Sequence, residues 1–241
     1  MAHRYFLTDI NQDTATVTGG EAVHLCRVMR IKPGDRVILC DNSGYDYTAL
    51  AKTVSEEIIT FEVLSKAPNP AQPRKELTVY MALPKSDKLE FIVQKCCELG
   101  AARLVPFVSE FCIAQKSKKE DSKKQRLSKI SAEAAKQCGR STPMEIGDTL
   151  TFKQLLGALA ENETNLFFYE HAEMPLSQAG LADKQKVGVI IGSEGGFSEK
   201  ECAALADSGA VTVSLGKRIL RCETAAVSGV TLAMYLMGEM E

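Results

Sequence analysis

The stretch KVGVIIGSEGGFSEKECAALADSG, residues 186–209, determines the class of fold that this chain adopts. An apolar run ending at Ile191 predicts a buried strand, and Ser198 followed by Glu201 predicts a capping box at the start of a helix. The glycine-rich turn between them, Gly192–Phe197, lets the backbone approach a ligand closely. This order is typical of an open α/β sheet, which binds ligands at the carboxyl ends of its strands.

Strands and helices alternate on both sides of this stretch. Upstream, Asp87 with Glu90 predicts the capped start of a helix that ends at Gly100. Downstream, the strand VTVSL leads into the apolar closing helix ETAAVSGVTLAMYLM, residues 223–237. The other predicted elements are the strands TVYMAL (78–83), RLVPFV (103–108) and NLFFYE (165–170) and the helix SKKQRLSKISAEAAKQC (122–138). The pattern predicts a parallel α/β sheet.

Residues 1–66 are rich in β-branched and aromatic residues, which predicts short strands and one helix over Glu21–Arg30. The predicted strands are RYFLTDI (4–10), TATVT (14–18), DRVILC (35–40), YDYTALAKTV (45–54) and EIITFEVLS (57–65). We expect a small β-barrel here. The proline-rich sequence APNPAQPR at 67–74 predicts a linker, which leaves 75–241 as the α/β domain.

The composition is that of an ordinary globular protein. The chain has 241 residues, 45% of them hydrophobic and 25% charged, with a net charge of −2. No apolar run is long enough to span a membrane, and the first residues lack the core of a signal peptide, so we expect a cytosolic protein. Eight cysteines form no C-x-x-C pair and the three histidines lack metal-ligand spacing, so we expect no metal.

One segment departs strongly from the average charge. Residues 116–129 contain seven basic and two acidic residues. Such a run is either a solvated helix face or a patch that binds nucleic-acid phosphates. If it binds RNA, the residues expected to contact phosphates are Lys118, Lys119, Lys123 and Lys124.

The glycine turn at 192–197 matches neither common phosphate-binding motif. No Gly-Lys-Ser/Thr follows it, and its spacing is not G-x-G-x-x-G. Glu194 would repel a bound phosphate. A ligand that lacks phosphates, or that carries positive charge, is therefore favoured.

A second loop, LGKRILRCET at 215–224, also follows a predicted strand and precedes a predicted helix. Its apolar residues and its two arginines, Arg218 and Arg221, can hold a nucleotide or a phosphate beside a flat ring. The alternative is a helix start whose arginines form salt bridges. Two such loops after successive strands favour one shared pocket.

Motifs spread over the whole chain resemble one known family. They are HRYF (3–6), His24-Leu25 with Val28-Met29-Arg30 and Gly34-Asp35, Gln94-Lys95 with Glu98-Leu99-Gly100, EAAKQCGR (133–140), the Gly192–Phe197 turn, and Leu215-Gly216 with RCETA (221–225). Together they resemble the RsmE-type 16S ribosomal RNA (uracil-N3) methyltransferases of the SPOUT superfamily. No single motif decides the resemblance.

The resemblance implies a homodimer with a PUA-like N-terminal barrel and a SPOUT-like domain containing a trefoil knot. It implies S-adenosylmethionine as methyl donor and 16S ribosomal RNA or the small ribosomal subunit as partner. The residues expected to bind the donor are Gly192, Ser193, Glu194, Gly195, Gly196, Leu215, Gly216, Ile219 and Leu220. Besides the lysines above, those expected to bind RNA are Arg4, Arg30 and Arg140.

Methylation at uracil N3 requires removal of the N3 proton or stabilisation of the resulting anion. Arg221, or Arg218, can stabilise this anion electrostatically. Glu223 or Glu194 can accept the proton directly or through water, although carboxylates at such positions more often hold a loop in place.

The chain departs from the family pattern at two positions. Ser193 stands where the family usually has proline, which frees the backbone of the turn and adds a hydrogen-bond donor. Cys222 stands where the family often has threonine. A cysteine beside an arginine can be a reactive thiolate, but methylation at N3 needs no covalent adduct, so we interpret Cys222 as a spacer.

The sequence alone leaves three alternative functions open. One is SPOUT-type methylation of another RNA atom, such as a ribose 2′-hydroxyl. Another is a ribosome-binding module without catalysis. The third is a nucleotide-dependent oxidoreductase, which the missing dinucleotide motif disfavours.

Overall fold

The structure, a computed structural model, describes residues 4–7, 10–11, 13–85, 87–113 and 120–240. The described residues form two compact units, one within Met1–Gln72 and Ala135–Pro143 and the other within Pro73–Ala134 and Met144–Glu241. The expected boundaries at 66 and 75 did not anticipate that 135–143 belongs with the N-terminal residues.

The first unit is a curled, mostly antiparallel sheet with one helix. Its strands are β1 (Arg4–Phe6), β2 (Thr14–Thr18), β3 (Arg36–Cys40), β4 (Tyr45–Val54) and β5 (Ile58–Pro68), and its helix is α1 (Gly19–Arg27). The strand order is β1-β3-β4-β5-β2, and only the β1–β3 pairing is parallel. The alternating apolar side chains of these strands face a common core with Leu25, Leu39 and Phe61.

Two predicted boundaries in this unit were wrong. Helix α1 ends at Arg27 rather than Arg30, because Arg30 adopts a left-handed conformation (φ 53°) through which a helix cannot continue. Strand β5 extends to Pro68, into the predicted linker.

Hydrogen bonds fasten the segment 135–143 to the end of the predicted linker. The Asn69 side-chain amide donates to the Gly139 carbonyl oxygen (2.9 Å), and the Thr142 N–H donates to the Gln72 side chain (3.1 Å). These contacts join residues about 70 positions apart in sequence, so no local pattern indicates them.

The second unit is built on a parallel sheet, as predicted. Its strands are β6 (Glu76–Ala82), β7 (Arg103–Val108), β8 (Glu145–Ile146), β9 (Leu150–Thr151), β10 (Thr164–Phe168), β11 (Lys186–Ile191) and β12 (Val211–Val213). The order is β12-β10-β11-β6-β7-β8, with β9 also paired to β7, and every pairing is parallel. The short strands β8 and β9 were not predicted.

The helices of the chain after residue 75 are α2 (Lys88–Glu98), α3 (Glu120–Cys138), α4 (Phe152–Ala158), α5 (Glu199–Asp207) and α6 (Cys222–Leu236), with 3₁₀ turns at Leu159–Glu161 and Leu176–Gln178. The predicted capping box of Ser198 and Glu201 is confirmed at the start of α5. Asp87 is the N-cap residue of α2, as predicted, but its side chain makes no capping hydrogen bond. Helix α4 and its capping box, Thr151 with Gln154, were not predicted.

In the part of the chain that the structure describes, no helix has both the length and the apolar character needed to cross a bilayer. The trefoil knot implied by the family resemblance stays a prediction.

Candidate functional site

The carboxyl ends of four neighbouring strands form a cleft in the second unit. Since β12, β10, β11 and β6 are adjacent and parallel, the loops that follow them leave the sheet at one edge. The cleft has a volume of about 390 Å³, which suits a small organic ligand. The two predicted loops share this cleft, but they do not follow adjacent strands, because β10 lies between β11 and β12.

Most residues predicted to bind the donor line this cleft. They are Gly192, Ser193, Glu194, Gly196, Leu215, Gly216, Ile219 and Leu220, and the two arginines Arg218 and Arg221 line it as well. Further lining comes from residues that were not predicted to bind the donor: Lys88, Phe168, Tyr169, Glu170, Ile191, Phe197 and Ala225. Gly195 and Glu223 are not among the lining residues.

Gly195 faces away from the cleft, contrary to expectation. A Cβ atom built on it would lie 2.7 Å from the Phe111 Cβ and 2.9 Å from the Phe111 carbonyl oxygen. Its missing side chain therefore makes room for the segment that follows β7. That segment is held by the buried Glu201 carboxylate, which accepts a hydrogen bond from the Glu110 N–H (2.8 Å).

The glycine turn at 192–197 is held from the sheet side by aromatic packing. The Phe197 ring meets Phe167 edge to face at a centroid distance of 4.9 Å and stacks with Phe107 at 6.2 Å. A Cβ at Gly192 would lie 2.9 Å from the Phe197 ring, so a side chain there would displace the ring. The turn therefore has a fixed shape.

Ser193 supplies a polar group that is ready for a ligand. The residue is only 8% exposed, it lines the cleft, and its Oγ has no hydrogen-bond partner within the residues that the structure describes. A buried hydroxyl without a partner is costly, and a polar ligand atom in the cleft would remove that cost. The cleft thus fits a ligand with both flat apolar and polar parts.

A charged cluster lies at one end of the cleft. The Lys88 ammonium group is 2.8 Å from a Glu194 carboxylate oxygen and 3.2 Å from a Glu223 carboxylate oxygen. Glu194 also accepts hydrogen bonds of 3.3 Å from the Lys85 N–H. The start of α2, the glycine turn and the start of α6 are therefore joined through one lysine.

These contacts change the acidity of the three groups. Burial opposes ionisation of Glu194, but hydrogen bonds from Lys88 and backbone amides hold its pKa below the ordinary value. The pKa of Glu223 is lowered first by its own backbone N–H and also by Cys222 and Lys88, against the effect of burial. The hydrogen bond with Glu194 raises the pKa of Lys88. All three groups are charged at neutral pH, and the attraction fades as pH falls through the lowered carboxylate pKa values.

The sequence did not lead us to predict a role for Lys88, although its position at the start of a helix was one indication. It occupies the first position of α2, where the positive end of the helix dipole disfavours a cation. A lysine at that position needs negative partners from elsewhere in the fold, and those partners lie more than 100 residues away in sequence.

Cys222 lines the cleft in surroundings that disfavour the nucleophilic thiolate form. Burial, together with the hydrogen bond to Glu223, raises the pKa of its thiol to about 12. The thiolate fraction at neutral pH is then smaller than that of an ordinary cysteine by a factor of about 1,000, since each pKa unit is tenfold. The structure thus supports the interpretation of Cys222 as a spacer.

We therefore expect iodoacetamide at neutral pH to leave Cys222 unmodified in the folded protein under conditions that alkylate an exposed cysteine. Peptide mass spectrometry measures the extent of alkylation, with urea-unfolded protein as the fully reactive control. Rapid alkylation of Cys222 in the folded state would contradict the inert-thiol interpretation.

Two arginines predicted to bind RNA are largely shielded from solvent. Arg4 makes a two-pronged ion pair with Asp46, and its side chain is only 13% exposed. Arg140 is buried, at 2% exposed. Little of either residue reaches solvent, so we correct this part of the predicted RNA surface. Arg30 is exposed and remains a predicted RNA contact.

The basic run is only partly described. Lys118 and Lys119 lie outside the described residues. Lys123 and Lys124 are half-buried on the first turns of α3, and Lys124 forms a 2.7 Å ion pair with Asp148. That ion pair neutralises the charge of one of the two described lysines. The positive charge available to bind phosphates is therefore smaller than the number of basic residues in 116–129 indicated.

No cluster of three or more histidine, cysteine or acidic side chains that could hold a metal ion occurs among the residues the structure places.

Two family models match the chain. The RNA methyltransferase domain model matches residues 71–234, and the RNA methyltransferase PUA domain model matches residues 17–63. The first match contains both loops of the cleft together with Lys88.

Named relatives match along most of their length. The chain is 31% identical to ribosomal RNA small subunit methyltransferase E of Bacillus subtilis strain 168, over 96% of each chain. It is 30% identical to the protein of the same name from Mycobacterium bovis, covering 94% of this chain and 89% of the relative.

A solved structure has the same fold. The crystal structure of a ribosomal RNA small subunit methyltransferase E from Neisseria gonorrhoeae, bound to S-adenosyl methionine, matches with a TM-score of 0.89 and 24% identity over 98% of each chain.

Proposed function

Because this chain belongs to the RNA methyltransferase family that includes the ribosomal RNA small subunit methyltransferases E, we propose that it methylates N3 of a uridine in 16S ribosomal RNA with S-adenosylmethionine as donor. The observation that carries the proposal is the cleft built by the 192–197 turn and the 215–222 loop, which lies within the matched methyltransferase domain. The Neisseria relative with this fold binds the same donor.

The residues of the cleft fit this donor. The partnerless Ser193 hydroxyl offers a hydrogen bond to its polar groups, and the apolar side chains Leu215 and Leu220 offer surface for a flat ring. When bound, the donor supplies a methyl group that replaces the N3 proton, and its sulfonium becomes a neutral thioether.

The arginines of the 215–222 loop stabilise the charge that develops on the uracil. Arg218 and Arg221 both line the cleft and are exposed to solvent, so an RNA base can reach them. A guanidinium stays protonated throughout the working pH range, so it acts on the N3 anion and not as a base.

Glu223 is a poor candidate for the base that removes the N3 proton. Its pKa is lowered, its carboxylate is engaged by Lys88 and the Cys222 thiol, and it does not line the cleft. We assign it to holding the start of α6. Stabilisation of the anion by Arg221, with the proton passing to water, then accounts for ionisation at N3.

The proposal is tested by equilibrium dialysis followed by methyl transfer. The protein should bind S-adenosylmethionine and not NAD, and should transfer a labelled methyl group to unmethylated small subunits or their 16S RNA. Donor binding without transfer to either substrate would favour the non-catalytic ribosome-binding module. Transfer to a ribose hydroxyl would favour the other SPOUT reaction.

Arg30 provides a test of RNA binding by the N-terminal unit. Replacing it with glutamine should weaken binding of matched and mismatched RNA alike and reduce the slope of log affinity against log salt by about one. The matched control is Arg27→Gln, because Arg27 is exposed but paired with Glu56. Filter binding at several salt concentrations measures the RNA affinity and its salt dependence for each variant. Equal effects of the two variants would remove Arg30 from the RNA surface.

We propose a homodimer that uses the outer face of α6. One face of this helix is buried within the chain, through residues such as Val230 and Met234. The outer face leaves Leu232 and Tyr235 exposed at 43% and 55%. A second copy of the chain would cover them, and the family resemblance implies a homodimer.

Changing both Leu232 and Tyr235 to glutamate should therefore convert a dimer to a monomer at micromolar concentration. Multi-angle light scattering measures the mass, with Val28→Glu as the control because Val28 is an exposed apolar residue of the first unit. A wild-type monomer, or a variant that stays dimeric, would contradict the assignment of this face. Because 16S ribosomal RNA is its proposed substrate, we also propose that the protein acts in the cytoplasm.

A further inference from the structure

The Lys88 side chain forms ion pairs with two separate segments, the glycine turn and the start of α6. Its ammonium group contacts Glu194 of the glycine turn and Glu223 at the first turn of α6. The side chain of Lys88 is 29% exposed, and those of Glu194 and Glu223 are 27% and 21% exposed. Ion pairs that are partly shielded in this way interact more strongly than pairs at the open surface.

Within the described residues, the contacts of the cluster include no second ammonium group that could replace Lys88. The described charged and titratable groups that face it are Glu194, Glu223 and the Cys222 thiol, and the Lys85 N–H is the additional donor to Glu194. Arg218 and Arg221 line the same cleft but form no ion pair with either carboxylate among the described contacts. Without Lys88, two carboxylates would remain together with little compensation.

We propose that Lys88 is a positioning residue that clamps the 192–197 turn to the start of α6, so that both loops are held in their donor-binding arrangement. This inference rests on the proposed function, since the arrangement matters because the cleft binds S-adenosylmethionine. Lys88 itself lines the cleft beside Glu194. It acts through Glu194, which lines the cleft, and through Glu223, which precedes the lining residue Ala225.

If Lys88 holds the two loops together, loss of its ammonium group should make donor affinity depend on pH. In Lys88→Met the two carboxylates repel each other at neutral pH, and the loops separate. Protonation of one carboxylate relieves the repulsion, because a like charge raises the pKa of its neighbour. Donor affinity of the variant should therefore recover as pH falls, whereas the wild-type carboxylates, which have lowered pKa values, stay ionised over the same range.

The experiment compares wild type, Lys88→Met, Lys88→Arg and the double variant Lys88→Met/Glu194→Gln. The control is Lys95→Met, because Lys95 is on the same helix, is 32% exposed and pairs only locally with Glu98. Calorimetry gives the affinity for S-adenosylmethionine between about pH 8 and about pH 5.5, a range in which an interacting carboxylate pair can titrate. Amide hydrogen exchange of the ligand-free proteins reports the mobility of residues 192–197 and 221–225.

We expect Lys88→Met to bind the donor about tenfold more weakly than wild type near pH 8 and to regain part of that loss near pH 5.5. Lys88→Arg should keep most of the affinity, and the double variant should recover part of it and lose the pH response. Exchange at both loop segments should rise in Lys88→Met and not in Lys95→Met.

Two results would overturn the clamp. One is unchanged exchange at both loop segments in Lys88→Met. The other is a loss of affinity that is the same at every pH and is not relieved by Glu194→Gln. If wild-type protein does not bind the donor at all, the proposed function fails, and the exchange measurement still decides whether Lys88 holds the loops.

Discussion

Replacing Arg221 with alanine should lower the single-turnover methylation rate by about 100- to 1,000-fold, because such a loss of charge stabilisation costs about 2.7–4 kcal/mol in the transition state. Arg221 is exposed, lines the cleft and immediately precedes α6, so its guanidinium can reach a base presented to the donor. Donor affinity should stay nearly unchanged. Rapid-quench experiments with labelled donor measure the single-turnover methylation rate, and equilibrium dialysis measures the affinity for the donor.

Two controls separate a catalytic role from a grip on RNA. Arg221→Lys should restore the rate only partly, because lysine keeps the charge and loses the planar fork. Arg74→Ala should leave the rate unaffected, because Arg74 is an exposed arginine of the same unit that does not line the cleft. Full recovery of Arg221→Ala at saturating RNA would show that the residue only binds a phosphate.

Replacing Gly195 with alanine should weaken donor binding by about tenfold or more, which corresponds to ~1.4 kcal/mol. The added methyl group would collide with the Phe111 backbone carbonyl at 2.9 Å, so either the turn or the segment after β7 must move. The physical reason differs from the one that the sequence suggested, since the new side chain does not enter the cleft. It acts by displacing the turn that carries Ser193 and Glu194.

The control for Gly195 is Gly157→Ala on α4, because a Cβ at Gly157 meets no atom within 4 Å. Thermal unfolding should show that both variants remain folded, and calorimetry should show a loss of donor affinity in Gly195→Ala alone. Normal affinity in a folded Gly195→Ala variant would mean that the shape of the turn does not control donor binding.

The sequence predicted the features that depend on local patterns. The apolar run before Ile191 and the capping box at Ser198 place the glycine turn between a strand and a helix, and the structure has both. The second loop likewise lies between β12 and α6. Because all strands of the second sheet are parallel, both loops had to leave it at the same edge.

Features that depend on contacts distant in sequence were not predictable in this way. The order of the strands places β10 between the two loops, which adds Tyr169 and Glu170 to the cleft. The partners of Lys88 come from two distant segments. Arg140 carries a charge, which at the sequence level favours exposure, yet the fold buries it.

Nucleoside and fragment mass mapping of 16S RNA detects methylation of a uridine at N3. RNA from cells that contain the protein should carry one N3-methyluridine that is absent when the protein is removed. Wild-type protein should restore it, and Arg221→Ala should restore far less. Identical methylation with and without the protein, or loss of a methyl group from a ribose instead of a base, would rule out N3 methylation by this protein.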